Sequence, residues 1–130
     1  MRRFSLHLSK VIPRNTKIVV YELCKNGKSL FEEFYEKSEN ERKLYANITK
    51  ALRIIEDTAN LQRKPKKKFR QINNSTLNCK VYEAKADDVR IYLFEERKTG
   101  RIIVLGGVKG TQKRDIGKVI STIKEYYNEK

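Results

Sequence analysis

Histidine is nearly missing from this chain of 130 residues: there is one, His7. A Ser-His-acid or Cys-His-acid triad is therefore not expected, and no His/Cys/carboxylate cluster has metal-ligand spacing. Cysteine is almost as scarce. Cys24 and Cys79 are too few for a disulfide framework or a zinc site of their own, which predicts a reduced, cytoplasmic setting. Long apolar runs are absent too, the longest being four or five residues, so no membrane span is expected. The basic opening MRRFSLHLSKVIPRNT is broken by Ser5, His7 and Ser9 and does not read as a secretory signal. The glycines at 106, 107 and 110 form neither a Walker loop nor a dinucleotide fingerprint. No cofactor and no metal is expected. If the chain is an enzyme, it must work with Lys, Arg and Tyr.

What the chain has in excess is positive charge. Thirty Lys and Arg face sixteen Asp and Glu, a formal net charge of +14, while apolar residues are 38% of the total. One modest core is expected, and seven Tyr with five Phe argue against disorder. Residues 1–61 hold 12 basic and 8 acidic side chains, net +4, whereas residues 62–130 hold 18 and 8, net +10. A polyanion partner is the natural reading, with its binding face built mainly by the second half.

Ile18-Val19-Val20-Tyr21 predicts a strand, closed by a turn at Lys25-Asn26-Gly27-Lys28. Ser29 with Glu32 has the capping-box spacing, predicting a short helix to about Lys37, and Ser38 with Glu41 repeats it. Leu44, Ile48, Ala51, Leu52, Ile55 and Ala59 recur at steps of three and four, the period of an amphipathic helix ending near Leu61 ahead of Pro65. Between them Arg42, Lys43, Asn47, Lys50, Arg53 and Asp57 make the wet face. Arg63, Lys64, Lys66, Lys67, Lys68 and Arg70 then place six positive charges in eight residues, predicting an exposed loop. That loop reads either as an RNA- or phosphate-contacting segment or as plain solvated surface. Its Phe69 either stacks on a base or anchors the loop to the core.

Lys80–Lys85 and Val89–Phe94 read as strands around Ala86-Asp87-Asp88; the second alternates in a way that predicts unlike sheet faces. Ile102–Leu105 reads as a third strand, with Gly106, Gly107 and Gly110 marking its exit. Ile116, Val119, Ile120, Ile123 and Tyr127 predict a C-terminal helix with Tyr127 on its packed side and Tyr126 pointing elsewhere. The expected architecture is α+β: strand, two helices, a three-stranded meander and a helix, with a small antiparallel sheet covered by helices on one face. Residues 1–16 form a basic N-terminal arm, which either adds an edge strand or pairs with a partner, and 17–130 a single domain.

Lys and Arg suffice for RNA phosphodiester cleavage, because the attacking 2′-hydroxyl arrives with the substrate. The protein has only to move protons and stabilise the phosphorane charge, and crowding by other cations lowers a lysine's pKa. Lys85 and Arg90 flank the Asp87-Asp88 turn, and Lys109 and Lys113 lie just past the last strand, so the four can converge. Solvated strand ends remain the alternative.

Val81-Tyr82-Glu83-Ala84-Lys85, Arg90-Ile91-Tyr92-Leu93-Phe94 and Ile103 through Lys113 together follow a recognisable plan. It resembles the RelE/ParE superfamily of type II toxin–antitoxin toxins, in its phage-derived RelE-like and HigB-like branch. There an aromatic-Glu-Leu-Arg strand precedes an Arg-led apolar strand, and a Leu-His-Gly-Phe-x-Lys-Lys-Thr-Gln-like segment precedes a helix. Element order matches over roughly 17–127, and the motifs over about 80–113. The resemblance implies a small α+β toxin with an antiparallel sheet, cleavage of mRNA on the ribosome, and an acidic antitoxin as partner. By position it implies site roles for Lys85, Arg90, Lys109 and Lys113. Ala84 stands for the family's Leu, Gly106 for its His, and Gly110 interrupts its paired lysines, leaving Tyr92 as reserve acid–base group. A ParE-like gyrase inhibitor and a non-catalytic nucleic-acid-binding module are the two alternatives.

Overall fold

A computed structural model describes residues 3–74 and 76–129; Met1 and Arg2 of the expected arm, and Ser75 and Lys130 of the expected domain, lie outside the described residues. The described residues form seven strands and three α-helices. The strands are β1 (Phe4–Leu8), β2 (Val20–Lys25), β3 (Lys28–Ser29), β4 (Phe69–Ile72), β5 (Lys80–Ala86), β6 (Val89–Glu96) and β7 (Gly100–Val108). The helices are α1 (Leu30–Lys37), α2 (Arg42–Ala59) and α3 (Gln112–Asn128).

The α+β class holds, but the sheet is larger than expected and is mixed. Its order is β1-β2-β7-β6-β5-β4, with β3 paired to β2. β2 and β7 run parallel, Val20 beside Arg101 and Glu22 beside Ile103, while the other neighbours are antiparallel. A parallel pair needs a long crossover, which α1, α2, β4, β5 and β6 supply. β4 escapes sequence reading because four residues, Phe-Arg-Gln-Ile, beside a lysine run show no period of their own.

Helices cover both faces of the sheet rather than one. Ile48, Ala51 and Ile55 of α2 and Phe31 of α1 pack with Ala84, Ile91, Leu93 and Ile103. Val119, Ile123 and Tyr126 of α3 pack with Val81, Tyr92, Phe94 and Ile102. Successive residues of β6 point to opposite faces, so the whole run from Val89 to Phe94 is buried and the expected contrast of faces is absent. At about 1.5–3 kcal/mol for each fully buried large apolar side chain, these two layers dominate stability.

Local chemistry sets the element ends. Ser29 caps α1, its Oγ accepting from the Glu32 amide at 3.2 Å. Ser38 does not cap α2: it closes α1, its hydroxyl donating to the Tyr35 carbonyl, and α2 starts at Arg42 after a 3-10 turn, Ser38–Asn40. Gly106 and Gly107 lie inside β7, not at its exit. A side chain on Gly106 would meet the ring of Phe34, and one on Gly107 the carboxylate of Asp115, so α1 and α3 approach β7 through these two notches. On α3, Tyr126 is buried and Tyr127 half-buried, the reverse of the expected emphasis; both rings pack on Phe94. The N-terminal arm lays β1 antiparallel on β2, Leu6 opposite Leu23.

Candidate nucleic-acid interface

The turn Asp87-Asp88, with Asp87 at φ 50°, returns β5 into β6 and puts Lys85 directly opposite Arg90. Arg90 in turn faces Gly107 of β7, over which Asp115 of α3 sits, so this pair is on the α3 side of the sheet. At the exit of β7 the Lys109 amide donates to the Asp88 carbonyl at 2.7 Å, and Lys113 follows in the first turn of α3. The four sequence-predicted cations therefore meet at one end of the sheet.

The basic loop reaches the same place. β4 starts where β5 ends, Phe69 opposite Ala84, and the Lys85 amide donates to the Lys68 carbonyl at 2.8 Å. Lys66, Lys67 and Lys68 are exposed and lead directly into Lys85. Two clusters that are separate in sequence thus form one strip: Lys66–Lys68, Lys85, Lys109 and Lys113. Among the described residues none of these six makes an ion pair. Cations left without acidic partners are available to phosphates.

The remaining candidates take other positions. Arg63 is exposed at the far start of the loop. Lys64 pairs with Asp57 at 2.9 Å, and Arg70 pairs with Glu83 at 2.8 Å, so both serve the protein's own carboxylates. Phe69 stacks on Tyr82, ring centroids 5.0 Å apart, with the Arg101 guanidinium over both rings; it anchors the loop. Arg90 is 8% exposed, and its Nη1 donates to the Asp87 and Val89 carbonyls at 2.6 and 2.9 Å. It shapes the turn that presents Lys85. Tyr92 is wholly buried, and burial, then the neighbouring carboxylates of Glu83 and Asp115, push its hydroxyl well above the usual tyrosine range. It lies under the strip, not on it. His7 is exposed on β1 beside Ser5, with β2 and β7 between it and β6.

Glu83, Gln112, Thr111 and Asp115 form a polar layer beneath the strip that sequence reasoning missed. Glu83, fully buried, accepts from Arg70 Nε at 2.8 Å and Gln112 Nε2 at 2.7 Å. Asp115 accepts from Thr111 Oγ1 at 2.6 Å. The available signal was Glu83 itself: the strand alternation puts it on the same face as Val81 and Lys85, where a carboxylate requires partners. Among the described residues, no three His, Cys, Asp or Glu side chains gather as metal ligands do. An open groove of about 1230 Å³, bounded by Lys80, Glu95, Arg97, Lys98, Lys124 and Tyr127, lies at the other end of β6 and does not join the strip. No described helix is long and apolar enough to cross a membrane.

Comparison with protein-family models, curated proteins and solved structures finds no match to this chain.

Proposed function

We propose that this chain is a RelE-like toxin of a type II toxin–antitoxin system, a metal-independent endoribonuclease that cleaves translated mRNA. One observation supports the reading: the strand-end cations Lys85, Lys109 and Lys113 and the loop cations Lys66–Lys68 lie at one end of the sheet, and among the described residues none of the six makes an ion pair. In this reading the loop lysines hold the RNA backbone on either side of the scissile phosphate. The 2′-hydroxyl attacks that phosphate, giving its proton to the neutral amine form of one lysine of the Lys85, Lys109, Lys113 group. A second lysine of the group protonates the departing 5′-oxygen, leaving a 2′,3′-cyclic phosphate and a 5′-hydroxyl. The positive field of the strip stabilises the phosphorane charge. A charge of +14 also suits neutralisation by an acidic antitoxin segment.

Controlled expression with pulse-labelled translation and mRNA primer extension tests the reading. Arrested synthesis with new mRNA ends is expected; normal synthesis with intact mRNA removes it. Lys109→Ala with Lys113→Ala should cut the cleavage rate by roughly 10²-fold or more while RNA is still bound. A second reading, RNA binding without cleavage, is favoured by the inward-turned Arg90 and the buried Tyr92. Under it the same double substitution lowers affinity gradually and there is no cleavage to lose.

A further inference from the structure

Glu83 is a carboxylate with no exposed surface, placed mid-strand between two apolar layers. Burying such a group is unfavourable unless it is paired and fully hydrogen-bonded, and an apolar residue would fill the position with less penalty. Its two oxygens are divided between two elements that touch the strip from opposite sides. Oε1 accepts from Arg70 on β4, two residues beyond Lys68. Oε2 accepts from Gln112 in the first turn of α3, next to Lys113 and three residues beyond Lys109. Asp115, one turn further on, lodges over Gly107 and accepts from Thr111, fixing the same end of α3 to β7. The loop half and the helix half of the strip thus share one buried acceptor.

We propose that Glu83 is a positioning residue that holds Lys66–Lys68 and Lys109–Lys113 in a single register across the end of the sheet. The proposal rests on the reading of the strip as an RNA surface. It is independent of whether the bound RNA is cleaved. Without Glu83 the two cationic halves move independently, and a bound strand can be gripped by one or the other. The loss then falls on how many phosphates are held at once, a quantity separable from fold stability.

The test measures binding of fluorescein-labelled oligouridylate by anisotropy over roughly 50 to 200 mM salt, since the slope of affinity against salt counts neutralised phosphates. Wild-type protein is compared with Glu83→Gln, Gln112→Ala, and the exchanged pair Glu83→Gln with Gln112→Glu. In the exchanged pair an amide at 83 still accepts from Arg70 and donates to a carboxylate at 112. Glu83→Gln should weaken binding about 10-fold and lower the slope by about 1.4, the share of two phosphates on a single strand. The exchanged pair should restore the slope. Gln112→Ala, which keeps the Glu83–Arg70 pair, should also lower the slope, and it decides the matter if Glu83→Gln does not fold. Folded single variants with the wild-type slope overturn this proposal alone. Absence of wild-type RNA binding overturns both it and the reading it rests on.

Discussion

Glu22 resembles Glu83 in being a buried carboxylate shared between distant segments. Ser9 Oγ and the Lys10 amide reach one oxygen, each at 3.2 Å, and Ser29 Oγ the other at 2.6 Å. The arm after β1 is thereby tied to β2 and to the cap of α1. Glu22→Ala should cost about 1–3 kcal/mol, the penalty of leaving such donors unpaired, with faster hydrogen exchange at Lys10–Ile12. Asp57 acts at the surface. Hydrogen bonding to Lys64, and then Arg53, outweighs partial burial and holds its carboxyl below its ordinary value of 3.8. A lowered folded-state pKa contributes stability above the unfolded value, and that stability is lost as pH falls through the folded one. Asp57→Asn should therefore lower Tm at neutral pH and leave it unchanged well below pH 3.8, as calorimetry against pH will show.

Helix α2 illustrates what periodicity can and cannot convey. Ile48, Ala51, Leu52, Ile55 and Ala59 of the expected stripe are buried, while Leu44 is half-buried. Asn47 and Ile54 are buried too, so the packed face of the helix is wider than the single stripe that the period predicts. Its end was expected from Pro65, but the actual stop is local. Leu61 adopts φ 68°, its amide donates to the Thr58 carbonyl, and the Gln62 amide donates to the Asp57 carbonyl. This paired pattern ordinarily has glycine at the left-handed residue, and Leu61 is 63% exposed, so its side chain contributes little packing in return. Leu61→Gly should raise stability by up to about 1 kcal/mol in denaturant unfolding, since the left-handed penalty is removed.

For the whole molecule the decisive quantity is where the charge excess lies. Reversing Lys66, Lys67 and Lys68 to Glu should abolish oligouridylate binding at near-physiological salt. The fold should stay intact, because all three side chains are exposed and form no ion pairs among the described residues. Circular dichroism and anisotropy together check this. The α+β class, three helices and the β5–β6–β7 meander were legible in the chain, since each depends on residues close in sequence: a 3.6-residue period, a two-residue turn. The mixed sheet, the burial of both its faces, the edge strand β4 and the Arg70–Glu83–Gln112 bridge were not. Arg70 and Gln112 are 42 positions apart, and nothing in either neighbourhood points to the other. Residue types and spacing determined where cations occur. Packing determined which stay on the surface as Lys109 and Lys113 do, and which reach for a partner inside, as half-buried Arg70 does for Glu83 and buried Arg90 does for the turn carbonyls, because a charge goes where a buried partner or water satisfies it.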